Sequence, residues 1–274
     1  MGGPEMEIKS GLVLVGCGKM GSAMLEGWLA SGVAPGSVWI LEPYPSERLI
    51  ALQGEGLHLN AGLPDAPDIC VLAVKPQLMR GSLQQLREIK SSLTLYLSVA
   101  AGITLDTLAA ELGDSPVIRA MPNTPAAIGR GITAITGNAR VTNENMQLAE
   151  ALLSSIGEVV ELDDESQMDA VTALSGSGPA YVFYLIEAMS AAGVAEGLPE
   201  ALATRLATAT VAGAGLLAQQ SDEPAAQLRI NVTSPAGTTE AGLKALMDSE
   251  SGLQPLLNRT ISAAANRSRQ LRQG

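Results

Sequence analysis

The stretch LVLVGCGKMG, Leu12 to Gly21, carries an aliphatic run straight into Gly16-x-Gly18-x-x-Gly21, and Ser22 to Ala30 continue as good helix material. Strand, tight glycine turn and helix N-terminus follow one another without a gap, which is the context a dinucleotide fingerprint requires. Gly16 permits the turn, Gly18 lets the backbone approach a pyrophosphate, and Gly21 lets helix and strand pack closely. The free N–H groups of the helix then face the anion. The competing reading is a glycine turn of purely structural use.

Around this start, 274 residues allow one large or two modest domains. Hydrophobic residues make up 46% and aromatics 3%, so the core is built of Ala, Leu, Val and Ile, as suits closely packed helices. A formal net charge of −11 argues against nucleic-acid or anionic-membrane partners, and no transmembrane segment is expected. The two cysteines, Cys17 and Cys70, form neither a CxxC pair nor a disulfide framework, which points to a reducing cytoplasm. No metal site is expected. MGGPEMEIKS at the N-terminus lacks a signal peptide's apolar segment, and its Met1-Gly2 start reads as an untidy terminus rather than a myristoylation signal.

Short aliphatic runs alternate with helical stretches as far as Leu162. Strands are expected at Leu12–Val15, Val38–Leu41, Ile69–Ala73, Thr94–Ser98, Val117–Ala120, Thr133–Thr136 and Val159–Glu161. Helices are expected around Met20–Leu29, Ser46–Gln53, Pro76–Ile89, Leu105–Leu112 and Glu144–Ser155. The alternation reads as a mainly parallel, doubly wound α/β sheet of Rossmann type, with ligands at the C-terminal strand ends. From Ser166 onward only Ala/Leu-rich helical windows remain, ending in a helix of roughly Leu253 to Leu271. The expected division is therefore a dinucleotide-binding domain, 1–164, and an all-helical domain, 165–274. A small helical domain with so few charges buries surface either in an oligomer or by tight packing within one subunit, and the oligomer is favoured.

Glu42 ends the second strand 21 residues after Gly21, where an acidic side chain holds the adenine ribose 2′-hydroxyl and disfavours a 2′-phosphate. That favours NAD over NADP, against the alternative of a surface Glu before a Pro turn. Ala73-Val74-Lys75-Pro76 ends an apolar strand and starts a helix on proline, so Lys75 either meets a phosphate or stands in an exposed loop. Ser98 to Gly102 and Met121-Pro122-Asn123-Thr124-Pro125 open at the same edge, the latter stiffened into a wall by its two prolines.

Hydride transfer to a ketone needs a proton donor, usually His, Lys or Tyr. The only histidine, His58, reads as a satisfied strand residue; Tyr181 and Tyr184 read as helix core. The helical domain has no lysine before Lys244, which counts against a hydroxyacid dehydrogenase. A cyclic imine brings its own proton and needs only orientation and a dry site. Two segments could supply this: the Gly/Ser loop Leu174 to Pro179 and the hydroxyl-dense turn Asn231 to Thr239, each opening a helix. Anion binding and ordinary N-capping fit either one equally.

The ordered set GCGKMG, LAVKP, MPNTP, DAVTALSGSGPAY and VTSPAGTTEAGL closely resembles pyrroline-5-carboxylate reductase, over roughly residues 11 to 272. The resemblance implies reduction of 1-pyrroline-5-carboxylate to L-proline by NADP(H) or NAD(H). It also implies a Rossmann domain plus a helical domain interlocked in a homodimer, with decamers in some members. It implies that Val15, Gly16, Cys17, Gly18, Lys19, Met20 and Gly21 line the pyrophosphate and that Asn60 reaches the cofactor. Ala73, Val74, Lys75, Pro76, Ala100 and Ala101, with Met121 and Pro122, would border the ribose and nicotinamide. Glu165, Asn231, Ser234, Gly237, Thr238 and Thr239 would hold the substrate, the Thr239 hydroxyl nearest the ring nitrogen. Two departures stand out: the family's usual SPGGT turn has Ala236 here, and Glu42 sits uneasily with the NADPH that the family often prefers. A non-catalytic nucleotide sensor is the rival from another class.

Overall fold

The computed structural model describes residues 8–86, 89 and 91–273; the Met1-Gly2 start, and residues 87 and 88 of the stretch read as the helix Pro76–Ile89, lie outside them. Two compact units result: one holds the described residues up to Gly176 and those from Ala265 onward, the other Ser177–Ala264.

The first unit runs β1 (Leu12–Val15), α1 (Lys19–Ala30), β2 (Val38–Leu41), α2 (Glu47–Gly54), β3 (His58–Leu59), β4 (Ile69–Leu72) and α3 (Met79–Gln85). It continues with β5 (Leu95–Ser98), α4 (Leu105–Leu112), β6 (Val117–Met121), β7 (Gly131–Gly137), α5 (Asn143–Ser154) and β8 (Gly157–Glu161). A 3-10 turn at Glu165–Gln167, α6 (Met168–Val171) and a π-helical turn at Thr172–Gly176 close it. The strands form one sheet in the order β3-β2-β1-β4-β5-β6-β7-β8, parallel except for β6 against β7. Chain order reverses between β1 and β4, so the crevice beyond those two strand ends is the natural ligand position.

Strands β1, β4 and β5 are buried at every residue. They read as unbroken aliphatic runs because helices cover both faces. Leu12, Leu14, Ile69 and Val71 pack with Trp28 of α1 and Leu152 of α5. Val13, Val15, Cys70 and Leu72 face Met79, Leu83, Leu105 and Leu108 of α3 and α4. The Trp28 indole N–H donates to the Leu152 carbonyl at 3.0 Å and fastens α1 to α5.

Two elements depart from expectation. The stretch from Pro76 begins as a 3-10 turn, Pro76–Leu78, before α3, proline setting a tight start. Strand β7 extends beyond Thr133–Thr136 to the glycines at both ends. Both glycines sit in tight places: a Cβ on Gly131 would lie 3.0 Å from the Ile156 carbonyl oxygen, and one on Gly137 would lie 2.8 Å from the Val141 side chain. His58 stacks on Trp39 with ring centroids 4.2 Å apart, and its Nε2 lies 3.1 Å from the Gly36 carbonyl, so the histidine is occupied in the sheet edge.

Compactness divides the chain differently from a boundary at 164. Residues 165–176 pack with the sheet through Glu165 on Arg119 and Ser175 on Asn123, and the terminal segment returns through Ser268 on Asp169.

The helical unit contains α7 (Gly178–Ala195), α8 (Glu200–Gln220), α9 (Ala225–Asn231), α10 (Thr238–Leu246) and the start of α11 (Leu253–Gln273). Helices α7 and α8 approach closely where Gly193 meets Ala203. Tyr181 and Tyr184 are not core: α7 buries no residue, and Tyr184 is 70% exposed. A helix apolar on all sides and bare within its own chain is a surface for another protein element. Helix α8 is long and apolar enough to cross a membrane by length and composition alone.

Candidate active site

The glycine loop is dictated by space. Gly16 has φ +86°, donates to the Leu41 carbonyl at 2.9 Å, and a Cβ there would lie 2.9 Å from the Ala73 carbonyl oxygen. A Cβ on Gly21 would collide with the Gly16 carbonyl. Gly18 is different: it is exposed, and nothing lies within 4 Å of where its Cβ would be. That open space sits against the N-terminus of α1, which has no side-chain cap and no acidic residue in its first turn. Uncapped N–H groups beside an open glycine fit a pyrophosphate. Cys17 adds no negative charge, because burial pushes its thiol up despite the hydrogen bond with Ser22.

Glu42, just past the end of β2, is tied to this loop. Its Oε2 accepts from the Cys17 N–H at 2.8 Å and its Oε1 from the Tyr44 N–H at 3.0 Å. Asn60 holds the backbone beneath: its Oδ1 accepts from Glu42 N–H and its Nδ2 donates to the Glu42 carbonyl, both at 2.9 Å. Asn60 reaches this pose through a left-handed backbone, φ 49°, which Asn tolerates better than most residues. Its amide therefore serves Glu42. The neighbouring cation, Arg48, is turned onto Glu26 at 2.8 and 3.2 Å.

The next loops stack along the same edge. Ala73 donates to the Val15 carbonyl at 2.8 Å and Val99 to Leu72 at 3.1 Å, which sets Ala73–Pro76 and Ala100–Ala101 beside the glycine loop. Val74 packs against Gly16, Lys75 and Ala101 are exposed, and Ala100, Met121 and Pro122 are buried. Asn123 makes the wall rigid: its Oδ1 accepts from Ile132 N–H at 3.0 Å, and its Nδ2 reaches the Ser175 carbonyl and hydroxyl at 3.4 Å. Leu174 to Gly176, read as a loop, is part of the π-helical turn, and Gly176 lies against the Met121 sulfur. A single π-turn inside a helical run commonly marks a functional position.

Beyond the wall, Glu165 Oε1 accepts from Arg119 Nη1 at 2.7 Å and from the Leu105 N–H at 3.0 Å. Arg119 is the residue that sequence reading passed over. Its signal was available, as an arginine in the middle of the aliphatic strand VIRAM.

The remaining expected residues belong to the helical unit. Asn231 donates to Glu223 and accepts from Gln227, both at 2.8 Å. Ala236 stands in the left-handed region, φ 56°, where the usual glycine would carry no steric cost. Its N–H donates to Glu240 at 2.6 Å, which keeps the turn closed. Gly237 caps α10 without a side chain, while Ser234, Thr238 and Thr239 are exposed.

Residues 165–271 match the family model described as pyrroline-5-carboxylate reductase dimerisation, and residues 11–102 match one described as NADP oxidoreductase coenzyme F420-dependent. The pyrroline-5-carboxylate reductase of Pseudomonas aeruginosa is 39% identical over 265 residues, covering 95% of this chain and 96% of that protein. That of Escherichia coli is 41% identical over 251 residues, covering 88% and 90%. Among solved structures, the pyrroline-5-carboxylate reductase of Coxiella burnetii superposes with TM-score 0.88 at 33% identity, covering 96% of this chain and 98% of that one. The Plasmodium falciparum enzyme, solved with NADP bound, gives 0.82 at 27%, covering 98% and 100%.

Proposed function

The chain belongs to the pyrroline-5-carboxylate reductase family, and we propose that it works as a homodimer with NADH as its preferred donor, reducing 1-pyrroline-5-carboxylate to L-proline. A nicotinamide dinucleotide is the cofactor, and when bound it supplies a hydride. The pyrroline ring enters protonated at nitrogen; its imine carbon, the ring carbon doubly bonded to that nitrogen, would accept the hydride while the C=N π pair moves to nitrogen as a lone pair. No acid from the protein is required. The protein's work is to align the ring, exclude water and hold the substrate carboxylate.

The observation that carries the donor preference is the Glu42 carboxylate, pinned beside the pyrophosphate loop by two backbone N–H groups, while Arg48 is engaged with Glu26. A ribose diol finds an acceptor there; a 2′-phosphate finds a like charge. Glu42→Ala is expected to raise the ratio of kcat/KM for NADPH over NADH by at least about tenfold, roughly 1.4 kcal/mol. An unchanged ratio would remove Glu42 from cofactor selection.

The substrate carboxylate goes to the turn Ser234–Thr239, reached across a dimer interface, with the Thr239 hydroxyl toward the ring nitrogen. The exposed hydroxyls of Thr238 and Thr239 and the bare apolar faces of α7 and α8 support this reading, since both need a partner surface to become dry. Thr239→Ala is expected to cost about 1–3 kcal/mol in kcat/KM, roughly 5- to 150-fold. Wild-type kinetics in that variant would take Thr239 out of the mechanism. Nicotinamide absorbance followed with pyrroline-5-carboxylate and each reduced cofactor tests the whole reading, which fails if the ring is inert while a keto acid is turned over. Two buried, unpaired cysteines suit a cytoplasmic location.

A further inference from the structure

Arg119 is only 1% exposed, yet it stands in a strand whose other residues are hydrophobic. Sheet register sets it between Ser98 of β5 and Thr136 of β7, two buried hydroxyl residues, so a polar row crosses the sheet just before its ligand edge. A guanidinium inside a sheet is costly to desolvate, and well-packed apolar residues usually serve stability as well or better. The cost here is not offset by full satisfaction: Nε and Nη2 are buried with no hydrogen-bond partner among the described residues. The short bond from Nη1 goes to Glu165 Oε1. The Leu105 N–H, four residues past Ala101 of the cofactor edge, donates to that same oxygen. All hydrogen bonds to this carboxylate among the described residues fall on Oε1, and the side chain is 24% exposed.

We propose that Arg119 is a positioning residue for the reduction: from inside β6 it locks one oxygen of Glu165 so that the other is presented to the cationic ring nitrogen of the substrate. This rests on Glu165 belonging to the substrate site, which is so far only what the family resemblance implies. A residue present only for stability would be expected to bond fully within the core; this one spends its best contact on a partly exposed carboxylate at the ligand edge. Holding a charged partner in one rotamer before the substrate arrives reduces the ordering cost of binding.

Turnover of pyrroline-5-carboxylate by the wild-type chain is measured first, since its absence refutes the functional reading and not this one. In Arg119→Lys and in Glu165→Gln, KM for the pyrroline is expected to rise at least about tenfold while KM for the reduced cofactor stays within about twofold. The double variant is expected to be no more than about threefold worse than Glu165→Gln alone, because both changes break one interaction. An unchanged pyrroline KM, an equal rise in both KM values, or losses that multiply in the double variant would overturn the proposal. If Arg119→Lys does not fold, Glu165→Asp decides. It keeps the charge but is one methylene too short to stay on the guanidinium, so a raised pyrroline KM supports the positioning role and a wild-type value sinks it.

Discussion

Gly21→Ala is expected to abolish useful cofactor binding, raising KM for the reduced nicotinamide by about a hundredfold or more. The added Cβ would collide with the Gly16 carbonyl, a backbone atom of the same loop. Neither partner is a flexible side chain. Relief therefore needs movement of α1 away from the end of β1, or of the turn itself, and overpacking of this kind costs about 1–3 kcal/mol or somewhat more. That movement also displaces the uncapped N–H groups of the α1 N-terminus from the place where a pyrophosphate would sit. Gly18→Ala separates the two effects. Its Cβ meets nothing in the protein, and its backbone, φ −72° and ψ −157°, is open to alanine, so Tm is expected to hold. Its methyl would nonetheless stand where the phosphates approach, so cofactor KM rises without loss of fold. Thermal denaturation beside cofactor titration distinguishes them: Gly21→Ala lowers both stability and affinity, Gly18→Ala affinity alone. A Gly21→Ala protein with wild-type cofactor KM would mean that close packing of helix on strand is not what this glycine provides.

Parts of the molecule that obey local rules were open to reading from sequence. Strand β1, the glycine turn and α1 follow from a switch of periodicity at Gly16, and the buried strands β4 and β5 from unbroken aliphatic runs. The place of Glu42 at the end of β2, against the glycine loop, follows from its distance from the glycines, which reflects one βαβ unit. What stayed hidden depends on pairs far apart in the chain or on surfaces outside it. Arg119 and Glu165 are 46 residues apart and Asp169 and Ser268 are 99. No window of periodicity connects them. The pairing of Asn60 with the Glu42 backbone, through both ends of its amide, likewise depends on a left-handed backbone that no local pattern announces. Tyr184 was expected in a core because apolar helix residues usually are; it is exposed within the chain because the apolar surface of α7 is not covered by its own unit.

Asp169→Ala is expected to destabilise the protein by about 2–3 kcal/mol, the range for losing hydrogen bonds to a buried charge. Asp169 is 4% exposed at the start of α6; its Oδ1 accepts from the Ser268 hydroxyl at 2.6 Å and its Oδ2 lies 3.4 Å from Arg272 Nη2. These two contacts fasten the end of α11 to the sheet unit, where Leu271 also lies beside Gly102, just after the Ala100–Ala101 loop. Truncation strands a buried hydroxyl and an arginine together, whereas Ser268→Ala removes one donor and leaves the ion pair, so it is expected to cost only about 1 kcal/mol. Asp169→Asn keeps an acceptor for Ser268 and falls between the two. The effect also reaches chemistry, because Asp169 lies four residues after Glu165 and three before the π-helical turn. Loosening α6 lets that whole segment shift, and pyrroline KM is expected to rise with the stability loss. Urea unfolding at fixed protein concentration, followed by pyrroline kinetics on the folded variant, measures both. An Asp169→Ala protein as stable as wild type would show that the terminal helix is held by its apolar contacts alone. A destabilised variant with unaltered pyrroline KM would show instead that Glu165 keeps its place through Arg119 and Leu105 without help from α6.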